Sequence, residues 1–239
     1  METAETLLNG AVHWRPYDGQ DLSLKDLVQV FKIKASDYFK KIRAEDILSA
    51  EELAKAARFL QQQSKENYTV RKYFLRKLLS VFTGIPPTEL VFKLMANKKP
   101  GMDGLFFNVS HSRDLITIAF SSTDIGIDLE YIDPNFQYQD IMALCFSKEE
   151  ILLVEMADQP MLAFYLIWTR KEAIIKATGE GIEEQLQTVP SLQRQILRNG
   201  TNYQVTSYLA TANHLFTTAN PAIEKPFVFW DLTTAFTFF

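Results

Sequence analysis

Two short acidic motifs carry the residues best suited to chemistry. The first is Gly126-Ile127-Asp128-Leu129-Glu130, and the second runs over 168–176 as Trp-Thr-Arg-Lys-Glu-Ala-Ile-Ile-Lys. Each places carboxylates within apolar sequence, where a charge is costly to hold unless something positive lies against it. Acidic groups that converge from a strand and a helix predict a site for a divalent metal.

The first motif places two acids on one face of a predicted strand. Side chains two residues apart project to the same side, so Asp128 and Glu130 point together. On a solvent-facing strand they would form an ordinary charged surface. The alternative is a hard-cation site, typically Mg²⁺ held by carboxylates and substrate phosphates. The strand alone leaves both interpretations open.

The second motif predicts a helical stripe, because Trp168, Glu172 and Lys176 follow one another at intervals of four. A surface Glu–Lys pair is the plain interpretation. The rest of the helix is mostly apolar, which makes a fully solvated face less favoured. The functional interpretation assigns Glu172 to the metal and Lys176 to a phosphate oxygen.

A third group of residues has the chemistry of an anion site. His111 lies between Ser110 and Ser112 at the end of a predicted strand, and the three side chains offer donors to a phosphate. A structural or surface histidine is the alternative. Basic residues also cluster on two predicted helices and just after them, mostly as solvated faces, with a subset that could bind a phosphorylated ligand: Lys55, Arg58, Arg71, Lys72, Arg76, Lys77, Lys98 and Lys99.

Local patterns predict the elements that position these residues. Ser49 and Glu52 form a capping box ahead of a helix over 51–62, and a second helix runs from near Lys65 to Gly84. Short β-rich runs at 105–109, 115–120 and 125–132 predict an antiparallel meander.

The second half repeats this order. A capping box begins a helix near Ser147, and a longer helix follows from Pro160 to Thr178. Strands are predicted at 203–209, 215–219 and 227–232. Helices followed by strands in both halves favour an α+β fold, with a boundary in the turn Ser121–Asp124.

Composition limits the class of protein. The chain has 239 residues, 47% hydrophobic content and a net charge of -4, which predicts a substantial core and no general attraction to nucleic acid or acidic membranes. Its one cysteine, Cys145, excludes an internal disulfide. We find no secretion signal, no membrane-spanning run and no phosphate-binding or dinucleotide-binding glycine loop, and we expect a soluble, cytoplasmic protein.

The ordered motifs 107–112, 125–130 and 168–176 resemble those of the 4'-phosphopantetheinyl transferase superfamily, in its larger Sfp-type branch. Segments 49–59 and 75–79 are similar to the N-terminal helices of that family, and Lys99-Pro100 is similar to the end of its Gly-Lys-Pro motif. The resemblance implies an α+β fold of two similar halves related by a pseudo-two-fold axis, with the site between them. We place the halves at 1–122 and 123–239.

The resemblance also implies the roles of individual residues. Asp128, Glu130 and Glu172 would hold Mg²⁺. Lys176 would meet the pyrophosphate of coenzyme A. A base must also take the serine proton, and we choose Glu172 for this, acting directly or through a metal-bound water. The remaining positions implied for coenzyme A are His111 and Ser110 at its phosphates, Lys55 at a further phosphate and Lys99 at the nucleotide end. Two positions depart from the family pattern. Lys98 stands where the family has a glycine, and Asn67 stands where many relatives have an arginine. Arg71 or Lys72 could supply the missing positive charge.

The activity implied is transfer of 4'-phosphopantetheine from coenzyme A to a serine of an apo acyl or peptidyl carrier protein, by a monomeric enzyme. Two alternatives stay open. One is a catalytically impaired module of the same fold that binds coenzyme A or a carrier protein. The other is a Mg²⁺-dependent phosphohydrolase that uses the same three acids.

Overall fold

A computed structural model describes residues 4–19, 22–25, 27–94, 100–102, 104–180, 186–222 and 225–232. Lys98 and Lys99 lie outside the described residues, as does the aromatic segment 236–239. Within the described ranges, no helix combines the length and the apolar character needed to cross a membrane.

Seven helices and twelve strands make up the described structure. The helices are α1 (Ala4–Leu7), α2 (Ala35–Tyr38), α3 (Ala50–Ala57), α4 (Gln62–Thr83), α5 (Gln139–Cys145), α6 (Lys148–Met156) and α7 (Pro160–Thr178). The strands are β1 (Leu8–Ala11), β2 (Arg15–Pro16), β3 (Val28–Lys34), β4 (Lys93–Leu94), β5 (Pro100–Gly101), β6 (Phe106–Ser112), β7 (Leu115–Ser121), β8 (Gly126–Tyr131), β9 (Gln195–Arg198), β10 (Thr201–Thr211), β11 (His214–Pro221) and β12 (Phe227–Asp231).

Two five-stranded sheets, each packed by one long helix, confirm the α+β fold. The first sheet has the order β2-β12-β3-β7-β6, and the second has the order β1-β10-β11-β8 with β9 on β10. In the first, Phe74 and Leu78 of α4 pack in one core with Phe31 and Phe120. In the second, α7 lies across β8 and β11. Each half is therefore a helix-on-sheet layer with its own buried core.

The predicted meander is wrong at its third strand. β6 and β7 pair antiparallel, but β8 pairs with β11 in the other sheet. Both edges of β7 are already occupied, one by β3 and the other by β6, so β7 offers β8 no free edge. Strand patterns in a sequence show which faces are buried, but not which edges are free.

Each sheet also takes one strand from the opposite end of the chain. β1 pairs parallel with β10, and β12 pairs parallel with β3. The boundary between residues 122 and 123 stays a prediction. The change of sheet does occur between β7 and β8, on either side of the segment 122–125.

Most helix ends follow their local signals. Both capping boxes are formed, at Ser49 with Glu52 and at Ser147 with Glu150. Helices α4 and α7 end at glycines in the left-handed conformation, at φ 71° and 72°. The helix predicted over 51–62 is wrong at its end: α3 stops at Ala57, because the chain must turn there to lay α4 against both α3 and the first sheet.

Gly126 sets how closely α7 approaches β8. A Cβ atom at this position would lie 2.0 Å from the Ala173 carbonyl oxygen and 2.3 Å from the Ala177 backbone nitrogen. These are backbone atoms of a helix and cannot move aside individually. The glycine at the start of the first acidic motif is therefore required for the helix–strand contact that brings the second motif beside it.

We expect Gly126→Ala to destabilise the fold by about 3 kcal/mol or more, because α7 must move away from β8 as a unit. Gly200→Ala is the matched control. Gly200 has φ +77° but open space around its Cβ position, so the control should lose only about 1 kcal/mol of backbone strain energy. Chemical denaturation of both variants measures the difference, and equal losses would contradict the close-approach argument.

Candidate active site

The candidate site lies where the edge strand β6 of one sheet faces the edge strand β8 of the other. Side chains of β6 take the place of a backbone ladder along this contact. Their oxygen atoms accept hydrogen bonds from alternate backbone N–H groups of β8: Asn108 Oδ1 from Ile127 (2.9 Å), Ser110 Oγ from Leu129 (3.1 Å) and Ser112 Oγ from Tyr131 (2.9 Å). The two sheets are thereby joined at the position of the first acidic motif.

Asp128 is the buried centre of this contact. Its Oδ1 accepts hydrogen bonds from Ser110 Oγ at 3.0 Å and from Lys176 Nζ at 2.6 Å. Its Oδ2 is also buried and has no hydrogen-bond partner in the described structure. A buried carboxylate oxygen without a partner is rare and costly, so this atom is a candidate ligand for a cation.

Glu130 lies two residues further along the same face. Ser112 Oγ donates a hydrogen bond to its Oε2 at 2.9 Å, and Trp168 of α7 donates a second. The pKa of Glu130 is raised to about 7, first by burial and then by the negative charge of Asp128, against the lowering by Ser112, Lys176 and Trp168. The predicted pair of carboxylates therefore sits together, at an electrostatic cost.

Glu172 approaches Asp128 from α7. Burial raises its pKa, Lys176 lowers it, and the negative charge of Asp128 raises it again. Lys176 follows one helical turn later and forms an ion pair with Asp128, where the side chains are 28% and 4% exposed. The structure thus brings both acidic motifs to one place. Asp128 interacts electrostatically there with Glu130, Glu172 and Lys176.

The three predicted metal ligands do not form a closed metal site in this structure. Across the residues that the structure describes, no three histidine, cysteine or acidic side chains lie close enough together to hold a metal ion. Asp128 interacts electrostatically with Glu130 on one side and with Glu172 on the other. Asp128 is therefore the acid that the other two have in common as an electrostatic neighbour.

His111 lies on the other side of β6 from the two serines, because it alternates with them along the strand. The pKa of His111 is lowered to about 4, first by desolvation and then by the positive charges of Arg71 and Lys176, against a raising effect of Asp128. The residue is solvent exposed, so water screens part of this effect. His111 is influenced by the positive charge of Arg71 on α4. Ser110, in contrast, donates its hydroxyl proton to Asp128.

The helices of the first half supply further cations near His111. Lys55 Nζ and Arg71 Cζ each lie 5.6 Å from the centre of the Tyr68 ring. Asn67 instead donates a hydrogen bond to the Arg113 carbonyl. The positive charge of Arg71 on α4 also lowers the pKa of His111.

Two neighbouring basic residues are committed to Glu52. Arg76 Nε lies 2.7 Å from one oxygen of Glu52, and Lys72 Nζ lies 3.3 Å from the other. Arg76 is buried, and it also donates to the carbonyls of Pro87 and Leu90. The prediction that Arg76 lies on a solvated helix face is therefore wrong. Its buried ion pair with Glu52 joins α4 to α3.

The second motif divides into two faces of α7. Arg170 is fully buried and donates to the carbonyls of Ser191 and Gln193, each at 2.5 Å. Lys171, equally buried, forms an ion pair with Glu150 at 2.8 Å. These two cations bind loop carbonyls and a capping carboxylate, and they do not reach the site. In the sequence, Arg170 and Lys171 lie between Trp168 and Glu172 and therefore off the helical stripe 168-172-176. That offset is the signal that they belong to a different face of α7.

Comparison with known proteins agrees with this geometry. Residues 124–221 match the model of the 4'-phosphopantetheinyl transferase superfamily. The 4'-phosphopantetheinyl transferase HetI of Nostoc sp. is 34% identical over 188 residues, which cover 74% of this chain and 72% of HetI. The chain belongs to the 4'-phosphopantetheinyl transferase superfamily.

Other members of the superfamily align over shorter lengths. The transferase Sfp of Bacillus subtilis is 30% identical over 56% of this chain and 62% of its own length. The transferase AcpT of Salmonella typhimurium is 40% identical over 31% of this chain and 41% of its own length. The Sfp-type resemblance of the motifs is thereby confirmed for this phosphopantetheinyl transferase.

The raised pKa of Glu130 makes the stability of the metal-free transferase depend on pH. The folded pKa of about 7 lies above the ordinary glutamate value of 4.5, so the contribution of Glu130 to stability is fully present below pH 4.5 and is lost as the pH rises through 7. Relative to Glu130→Gln, the wild type should lose roughly 1–3 kcal/mol of unfolding free energy between pH 4.5 and 8. Denaturation at several pH values in chelator measures this. A control variant, Glu155→Gln at an exposed acid of α6, should show no such trend, and a flat difference for Glu130→Gln would contradict the electrostatic description.

Proposed function

We propose that this chain transfers 4'-phosphopantetheine from coenzyme A to a serine hydroxyl of an apo acyl or peptidyl carrier protein. Adenosine 3',5'-bisphosphate is the second product. The observation that carries the proposal is the convergence of Asp128, Glu130, Glu172 and Lys176 beside β6. Membership of a superfamily named for this reaction supports it.

The ligand chemistry around Asp128 suits a divalent cation, although among the described residues the three acids do not lie close enough together to share one as they stand. Asp128, Glu130 and Glu172 offer carboxylate oxygens, which are the ligands that Mg²⁺ prefers, and within the described part of the chain Asp128 Oδ2 is buried without a hydrogen-bond partner. The raised pKa values of Glu130 and Glu172 show that negative charge is unfavourable there without further neutralisation. Mg²⁺ usually takes only part of its ligands from protein and the rest from phosphates and water. We therefore assign the ion to Asp128, Glu130 and Glu172.

When bound, Mg²⁺ would neutralise charge on the pyrophosphate of coenzyme A. Lys176 provides a second positive charge from the protein itself. Its ammonium group lies 2.6 Å from Asp128 Oδ1 and 3.4 Å from Ser110 Oγ, and the side chain is 28% exposed. We assign it to a pyrophosphate oxygen, where it stabilises the negative charge that develops on the leaving group.

The far side of β6 supplies the remaining contacts to phosphate. With its pKa lowered, His111 is neutral at physiological pH and can donate a hydrogen bond without adding charge. Arg71 lies close enough to influence that histidine, and we assign to it the charge that an arginine at position 67 would have supplied. We assign Lys55 to a further phosphate. The role of Lys99 at the nucleotide end stays a prediction.

The reaction is a displacement at phosphorus. The serine oxygen of the carrier forms a bond to the phosphorus that bears pantetheine, and the bond from that phosphorus to the bridging oxygen breaks. The electron pair of that bond leaves with adenosine 3',5'-bisphosphate. We assign the serine proton to Glu172, because a carboxylate with a raised pKa is a stronger base. The rest of catalysis is positioning and charge neutralisation.

We expect the transferase to act as a monomer in the cytoplasm, where coenzyme A and carrier proteins are both soluble. A net charge of -4 gives no support for binding to nucleic acid or acidic membranes. The carrier could serve fatty-acid, polyketide or non-ribosomal peptide synthesis. A panel of apo carriers from the three pathways, tested for mass increase, identifies the partner.

We expect Asp128→Ala and Glu172→Ala each to lower the transfer rate by about 100-fold or more, because several kcal/mol of charge stabilisation are lost. Purified apo carrier, coenzyme A and Mg²⁺ are incubated with enzyme, and the mass of the carrier is followed with time. Asp140→Ala, which removes an exposed acid of α5, is the control and should transfer at the wild-type rate. Full activity of both site variants at limiting Mg²⁺ would falsify the metal assignment.

The same assay distinguishes the two alternative functions. Binding of coenzyme A by the wild type without any increase in the mass of any carrier would favour a binding module. Release of phosphate from coenzyme A in the absence of a carrier would favour a phosphohydrolase. An increase in carrier mass that depends on Glu172 supports the transferase.

A further inference from the structure

Ser112 has no role in the assignments above, yet both hydrogen-bonding functions of its hydroxyl are used at the site. Its oxygen accepts the Tyr131 backbone N–H at 2.9 Å, and its proton is donated to Glu130 Oε2 at 2.9 Å. One side chain of β6 thus contacts both the backbone of β8 and an acidic side chain of that strand.

The backbone contact sets the direction of the hydroxyl. A serine hydroxyl can turn to donate wherever an acceptor lies. With the Tyr131 N–H directed at the oxygen, that side of the hydroxyl is occupied, and the proton is turned toward the carboxylate. The donor offered to Glu130 is therefore oriented before any ligand arrives, as a preorganised site requires.

Glu130 needs such a donor because its neighbour repels it. Asp128 lies two residues away on the same face of β8, and two carboxylates on one strand face repel each other. Glu130 is only half-buried, so a carboxylate without restraint would be driven outward to water and away from Asp128. Ser112 from β6 and Trp168 from α7 hold it from two sides.

Asn108 offers a natural comparison on the same strand. It accepts the Ile127 N–H at 2.9 Å and joins β6 to β8 as Ser112 does. The residue that follows Asn108's partner is Asp128, whose Oδ1 contacts are instead made by Ser110 and Lys176. Within the described ranges, Asn108 thus joins the two strands without a hydrogen bond to an acidic side chain.

We propose that Ser112 is a positioning residue that holds the Glu130 carboxylate beside Asp128 and thereby increases the affinity of the site for a divalent cation. The inference rests on the proposed function, which places the cation at these acids. Hydrogen-bond partners of metal-binding carboxylates orient them, and their loss typically weakens metal binding by about 10–100-fold.

The test measures cation binding directly. Mn²⁺ is titrated into the full chain at saturating coenzyme A, and free Mn²⁺ is followed by electron paramagnetic resonance. We expect Ser112→Ala to weaken Mn²⁺ binding by about tenfold. Ser112→Thr keeps the hydroxyl and should restore binding to within about twofold of the wild type. Asn108→Ala should lose similar stability to Ser112→Ala with unchanged Mn²⁺ affinity.

Steady-state transfer supplies an independent readout. Ser112→Ala should raise the Mg²⁺ concentration for half-maximal activity by about tenfold, with kcat at saturating Mg²⁺ close to that of the wild type. Thermal unfolding checks that each variant is folded. If Ser112→Ala is unfolded, Ser112→Cys replaces it, since a thiol keeps the volume but is a weaker donor, and it should bind Mn²⁺ less tightly than the wild type.

Wild-type Mn²⁺ affinity in Ser112→Ala would overturn the inference, as would an equal loss in Asn108→Ala, which would indicate general loosening of the β6–β8 contact. Absence of Mn²⁺ binding by the wild type itself would instead reject the metal assignment of the proposed function. The two failures are distinguishable, because only the second leaves every variant alike.

Discussion

The hydrogen bonds from the side chains of β6 to the backbone of β8 are the interaction on which the rest of the site depends. They join the edges of two sheets that share no backbone ladder there. A backbone ladder would have brought the two strands together without offering side-chain donors to the acids. Serines in its place satisfy the amides of β8 and still have a proton for each carboxylate, so the contact between the halves and the polar lining of the site are the same atoms.

Helix α7 complements this contact from the other side. One face of the helix directs Trp168, Glu172 and Lys176 to the acids of β8, and the opposite face anchors Arg170 and Lys171 in loop carbonyls. A buried guanidinium with several acceptors keeps the helix in one rotation about its axis. The glycine at the start of β8 then keeps it at one distance. Rotation and distance together determine where the second acidic motif meets the first.

Much of this arrangement was predictable from local sequence, and the remainder was not, for a physical reason. Capping boxes, helix-ending glycines and strand alternation are decided by neighbours within a few residues, and Ser49, Ser147 and Gly179 behave as predicted. The partner of β8 depends on which sheet edge is free, and the burial of Arg76 depends on Glu52 of another helix. Such contacts are non-local. The family resemblance supplied what periodicity could not, namely that the two acidic motifs meet.

The two strands exchanged between the sheets, β1 and β12, affect how the two halves unfold. β1 completes the sheet of the second half, and β12 completes the sheet of the first. Neither half contains every strand of its own sheet, so unfolding of one half removes a strand from the sheet of the other. The two cores are therefore coupled into a single cooperative folding unit. Separation of β6 from β8 by a hinge between the sheets would therefore require the β1–β10 and β12–β3 ladders, which lie outside that contact, to break or bend as well.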